Sequence, residues 1–129
     1  MKSTLALLVL SFVVTVSTAH GSDSNVDVAP SAQVYFVAPS DGQVVTSPFA
    51  VKFGLRGMGV APAGVQIDNT GHHHLLVNLD ELPNMSTSLP ATDKIRHFGG
   101  GQTETELSLP PGQHTLQLLL GNFAHIPHP

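Results

Sequence analysis

Three histidines stand in a row, His72-His73-His74, between Gly71 and an apolar pair, Leu75-Leu76. A strand sends successive side chains to opposite faces. His72 and His74 then share a face with Leu76 and Asn78, while His73 joins Leu75, Val77 and Leu79 on an apolar face. Two imidazoles at i and i+2 project the same way and can grip one metal ion. Imidazole suits copper, zinc and nickel. The competing reading of His72 and His74 is a hydrogen-bonded polar face with no ion. His73, on the apolar side, reads as a core histidine.

The chain has eight histidines against five lysines and arginines. His97 enters a glycine run, Gly99-Gly100-Gly101, where the backbone bends freely, and is the next ligand candidate. His125 and His128, separated by Ile126-Pro127, form a second small cluster; the alternative is a loose tail. His114 opens a strand on its inward face, where a buried hydrogen-bonded role stands beside ligation. The predicted metal site is therefore His72, His74 and His97, joined by His125 or His128, with Pro127 stiffening the tail that carries His128. Ligating imidazoles must be neutral, so affinity should fall below pH ~6.5.

Enzyme patterns fit poorly. A cupin oxygenase places a Glu four or five residues after its His-x-His, where this chain has Asn78 and Leu79. A metallo-hydrolase of the His-x-His-x-Asp-His type needs Asp where Leu76 stands. Gly99-Gly100-Gly101 lacks the Lys and Ser/Thr of a phosphate loop and reads as a bulge or close backbone approach. No serine or cysteine sits in a recognisable nucleophile elbow. Glu104 reads as an exposed strand carboxylate rather than a support for a ligand histidine.

Lys2, the apolar run Leu5–Val16 and the small residues Ser17-Thr18-Ala19 read as a secretory signal peptide spanning residues 1–19, too short to cross a membrane comfortably. A second cut is available after Gly21. Cleavage after Ala19 would put His20 at the mature N-terminus, where amine and imidazole together chelate copper. The polar arm 20–32 has nothing apolar to pin it, which argues against a fixed site there. Localisation is expected to be secreted or periplasmic. With no cysteine, the chain must fold without disulfides. Losing the leader leaves Lys52, Arg56, Lys94 and Arg96 against nine carboxylates. With no basic patch and one tyrosine, nucleic acid and anionic membrane are poor partners.

The elements that must position the histidines are strands. Val34–Val37 reads as a buried strand and Pro39-Ser40-Asp41-Gly42 as a turn. Phe49, Val51, Phe53 and Leu55 alternate with Ala50, Lys52 and Gly54, a half-buried strand. Gly57–Gly64 reads as a loop without strand, and Glu81–Arg96 as a long surface connection, with a formal glycosylation acceptor at Asn84-Met85-Ser86. Thr103–Leu109 and His114–Leu120 alternate around Pro110-Pro111-Gly112 and read as a hairpin. One domain over residues 33–129 follows, an antiparallel, immunoglobulin-like β-sandwich with Val51, Phe53, Leu116 and Leu118 in its core.

Several stretches stand in a fixed order: Val34-Tyr35-Phe36, Pro39-Ser40-Asp41-Gly42, Val51-Lys52-Phe53-Gly54-Leu55, Gly57–Gly64, Asn69–Leu76, His97–Glu104, Pro111–Leu118 and His125-Ile126-Pro127-His128. Over roughly Val34 to Pro129 the chain resembles an exported bacterial family known as a domain of unknown function, number 4399 of that series. The resemblance implies a small exported β-sandwich with no established activity. Members similar to it continue past His-x-Pro-His into one more strand, so the sheet is expected to lack its last strand and carry an open edge.

Three functions remain in view. The first is an exported protein that binds copper or zinc through clustered histidines, for storage, delivery or sensing. The second is an envelope or extracellular interaction module whose histidines are structural. The third, a metalloenzyme, rests on a bare metal site alone. No catalytic residue and no organic cofactor is assigned.

Overall fold

The computed structural model describes residues 32–129. The leader, most of the arm and His20 lie outside the described residues. Seven strands follow in order: β1 (Gln33–Ala38), β2 (Phe49–Arg56), β3 (Gly59–Val60), β4 (Thr70–Val77), β5 (Ile95–His97), β6 (Glu104–Leu107) and β7 (Leu116–Gly121). Among the described residues no helix is long and apolar enough to cross a membrane.

The strands form a small sandwich. One sheet is antiparallel, in the order β1-β2-β6. The other is built around β4, which pairs antiparallel with β7 on one edge. On the opposite edge the carbonyls of Gly71 and His73 accept from Ala61 and Phe98, so β3 and β5 share that edge. The β3–β4 pairing is parallel. Between the sheets, Val51 and Phe53 of β2 and Leu107 of β6 pack against Leu75 and Val77 of β4, Leu118 of β7 and Phe98. Leu116 is half-buried against this cluster.

β2 is built as its alternation predicts: Val51 and Phe53 are buried, Ala50 and Lys52 exposed. β4 is different, because every residue from Gly71 to Val77 is buried. Its second face is covered by two segments tied to each other, since Leu89 N–H donates to the His125 carbonyl at 2.9 Å. Leu89 is itself buried. The connection over residues 81–94 is therefore a cover for part of its length, not a purely surface link. Its amphipathic signal is a lone Leu89 between prolines, too sparse to be read as burial.

Three further expectations need correction. Thr103–Leu109 and His114–Leu120 do not form a hairpin: β6 pairs with β2 and β7 pairs with β4, in different sheets. Alternation and a Pro-Gly turn describe a chain crossing between sheets as well as one folding back, and strand partners decide which. The Leu109 N–H bonds Ser47 Oγ at 2.8 Å, which anchors that crossing to the start of β2. The glycine-rich stretch 57–64 does contain a strand, β3, held along β4 by the Gly59 and Ala61 N–H groups, which donate to the Asn69 and Gly71 carbonyls at 2.9 and 2.8 Å. β1 is half-buried rather than buried, with Val37 exposed, since it forms an edge of its sheet.

Beyond β7 the chain turns back along that strand. Gly121 bridges Pro127 in antiparallel register, and His128 N–H donates to the Leu120 carbonyl at 2.9 Å. The tail thus covers one end of β7's outer edge.

Candidate metal centre

Strand alternation separates the three histidines as expected. His73 turns into the core, its ring 5.3 Å from that of Phe53. Its Nε2–H donates to the Gly54 carbonyl at 3.3 Å. His72 and His74 turn to the other face, with ring centroids 4.6 Å apart. All three side chains are fully buried.

His125 meets that pair from the C-terminal segment. Its Nδ1 lies 2.9 Å from His72 Nε2 and 3.3 Å from His74 Nε2. The ligand atoms of His72, His74 and His125 all lie within 4.8 Å of one another. A small loop aims His125 inward. Asn122 Oδ1 accepts the N–H groups of Ala124 and Ile126 at 2.9 and 3.1 Å, and the Asn122 carbonyl accepts that of His125 at 2.9 Å. Within this loop His125 adopts a left-handed backbone, φ 62°. Few non-glycine residues do so, and a packed surrounding must hold them there.

His97 arrives on β5. The register sets it directly opposite His74. The Phe98 N–H bond to the His73 carbonyl makes this a non-hydrogen-bonded pair, the kind whose side chains approach more closely. The His97 centroid lies 4.5 Å from those of both His74 and His125. Its Nε2–H donates to the Pro90 carbonyl at 3.2 Å. His97 thus borders the group of three without sharing its converging nitrogens. It lies beside β4 through its own short strand.

His128 stands apart, with its Nε2–H donating to the Thr70 carbonyl at 3.1 Å. The loop that aims His125 inward ends before His128, which instead lies along β7, its N–H on the Leu120 carbonyl. His114 is hydrogen-bonded at both ring nitrogens, to Asn78 Nδ2 at 2.9 Å and the Pro110 carbonyl at 2.8 Å, and lies away from the cluster. A broad open cleft of about 1410 Å³ between the 39–47 and 109–116 loops includes His114 and none of the four clustered rings.

Two site residues were not read from the sequence. Asn122 closes the loop that carries His125. Gly121 gives His74 its room, since a Cβ at that position would run into Cε1 and Nδ1 of the ring. Both follow the predicted strand His114–Leu120, and only the pairing of β7 with β4 brings them to the histidines.

Burial, and next the charge of neighbouring rings, disfavours protonation here. His72 is lowered from 6.5 to about 4, by burial first and then by His125, His97 and His73. His74 is lowered to about 3, by burial first and then by His72, His97 and His125. His97 is lowered too, chiefly by burial, against the bond to Pro90. Neutral imidazole is the form that ligates metal. His72 Nδ1 and His74 Nδ1 are buried without a hydrogen-bond partner, a condition they share with His73 Nδ1 in the core.

The result is a small β-sandwich carrying a group of three histidines, two buried and one half-buried, whose geometry can hold a metal ion. Residues 51–129 match the family described as Domain of unknown function (DUF4399), and the chain belongs to that family. All four clustered histidines fall within the matched residues. No curated protein and no solved structure matches the chain.

Proposed function

We propose that this is an exported protein that binds a transition-metal ion, copper or zinc, through His72, His74 and His125. Export rests on the leader-like N-terminal sequence. Binding rests on one observation: Nε2 of His72 and Nε2 of His74 both converge on His125 Nδ1, at 2.9 and 3.3 Å. A ring nitrogen that accepts has one in-plane lone pair and cannot serve two N–H donors well. Three imidazole nitrogens crowded together lack the protons and acceptors to satisfy one another, whereas one cation accepts all three lone pairs. The two short spacings suit that role. Metal–nitrogen bonds of ~2.0–2.1 Å place ligand nitrogens ~2.9 Å apart at a right angle and ~3.3 Å apart at a tetrahedral one. His114 shows the contrasting arrangement, with a separate protein partner for each ring nitrogen: the Asn78 carboxamide N–H for Nδ1 and the Pro110 carbonyl for Nε2.

The nitrogen-only donor set favours copper and zinc over magnesium or calcium, which take oxygen ligands. Holding or delivering the ion is the role that needs nothing further from the chain.

Isothermal titration of tag-free, metal-stripped protein with Cu(II) and with Zn(II) tests this. Wild type should bind one ion per chain and His72→Ala/His74→Ala none tightly. His125→Asn removes the loop imidazole while keeping a residue that tolerates the left-handed backbone, and should weaken binding while the β spectrum in circular dichroism persists. Wild type that binds neither ion, or a folded His125→Asn and double variant that bind like wild type, would overturn the proposal.

A further inference from the structure

The backbone carbonyl of Pro90 settles how His97 is protonated. A carbonyl only accepts, so the His97 nitrogen at 3.2 Å from it, Nε2, carries the hydrogen. The neutral ring then has its lone pair on Nδ1. This is how protein ligand histidines are usually arranged: one nitrogen is free to ligate, and the other donates to a backbone carbonyl that fixes tautomer and orientation. The ring is packed 4.5 Å, centroid to centroid, from both His74 and His125. A turn about its terminal side-chain torsion, a broad and soft coordinate for histidine, re-aims Nδ1, and the Pro90 carbonyl must follow Nε2 as the ring turns.

The covering segment treats His97 and His125 as a pair. Leu89 N–H donates to the His125 carbonyl at 2.9 Å, and the next carbonyl, Pro90, accepts from His97. Two adjacent residues thus hold the two outer histidines, while β4 holds the two inner ones. Among the described residues the group able to hold a metal is His72, His74 and His125, with no carboxylate in it, and the ring packed beside it is that of His97.

We propose that His97 is the fourth ligand, entering through Nδ1, with the Pro90 carbonyl as the acceptor that sets its tautomer. The proposal rests on the reading of His72, His74 and His125 as the first three. Its consequence is a closed shell. Catalytic zinc sites keep one position open for water or substrate, whereas four-coordinate sites filled by protein hold their ion. A four-imidazole shell makes the metal a cargo or a structural ion, not the centre of a hydrolytic reaction.

Long-range proton–nitrogen NMR of the full, histidine-labelled protein reads this directly. On loading with Zn(II), the His97 Nδ1 resonance should move from the range of a free neutral ring to that of a metal-bound nitrogen, with Nε2 still protonated. Cobalt(II)-loaded wild type should show the intense visible bands of four-coordinate cobalt. His97→Ala and the bulkier His97→Gln should both replace them with paler ones and lower Zn(II) affinity at least ~10-fold. A His97 Nδ1 that keeps its free-ring shift in Zn(II)-saturated protein overturns the proposal. So do a His97→Gln spectrum and affinity equal to wild type. If His72→Ala/His74→Ala still abolishes binding in that event, the three-histidine reading stands and only the fourth ligand is lost; if the double variant also binds normally, the three-histidine reading has failed first.

Discussion

His74 and Gly121 are fitted to each other: the imidazole occupies the space in which a side chain at position 121 would lie. Gly121 is not among the glycines with left-handed backbone, so alanine suits its conformation and only the collision counts. Gly121→Ala should therefore push the His74 ring off its position, lower metal affinity and cost ~1–3 kcal/mol, the usual range for overpacking. Gly100→Ala is the control, since its Cβ would meet only the flexible end of Gln102. Thermal unfolding and Zn(II) titration of the two variants check this; equal behaviour would contradict the fit.

Acid should destabilise the metal-free protein. His72 and His74 are lowered from 6.5 to about 4 and about 3 by burial and by the facing rings of His125, His97 and His73. Above pH ~6.5 both states carry neutral rings and nothing is lost. Below it the unfolded chain takes up protons that the folded chain refuses, so stability falls with pH until the folded values are passed. At ~1.4 kcal/mol per pH unit for each ring, the fall from pH 7.5 to 5 is about 2 kcal/mol per ring. Urea midpoints at the two pH values measure it, and His72→Ala/His74→Ala should flatten the difference. An unchanged wild-type midpoint would contradict the assigned burial of these rings.

Local chemistry was readable in the sequence, and partners across space were not. The i, i+2 rule put His72 and His74 on one face and His73 on the other because it depends only on strand geometry. The alternation of Phe49 to Leu55 gave β2 its buried face for the same reason. Strand pairing depends on sheet choice, so Thr103–Leu109 and His114–Leu120 looked like neighbours when they belong to different sheets. His125 and His128 were indistinguishable by type. What separates them is a loop closed by Asn122 and a bridge from Gly121 to Pro127, both products of the folded chain.

His73 should be dispensable for metal binding. It is buried against Phe53, its Nε2–H makes only a long bond to Gly54, and its Nδ1 has no partner. Leucine fills a similar volume and removes that unpartnered buried nitrogen, which costs ~1–3 kcal/mol where it is left unsatisfied. His73→Leu should leave Zn(II) affinity within ~2-fold and stability unchanged or raised. A large loss of affinity in a folded His73→Leu would place the metal on the wrong face of β4.

Asn78 and His114 brace the sandwich at the end of β4, away from His72, His74 and His125. The Asn78 carboxamide donates to His114 Nδ1 and accepts the Thr115 N–H, each at 2.9 Å. His114 Nε2–H then donates to the Pro110 carbonyl at 2.8 Å, so one tautomer satisfies the whole chain of bonds. Asn78 also has a left-handed backbone, φ 51°, which asparagine tolerates and alanine does not. Asn78→Ala loses the side-chain bonds, at ~1 kcal/mol each, and adds a backbone penalty of ~1–2 kcal/mol. Asn78→Gly loses the same bonds without most of that penalty, so urea unfolding should rank wild type above Gly and Gly above Ala. Zn(II) affinity should be unchanged in both, because neither the bonds nor the turn touches His72, His74 or His125. Alanine and glycine variants of equal stability would remove the backbone part of the argument, and an affinity change would show that this brace reaches the histidines after all.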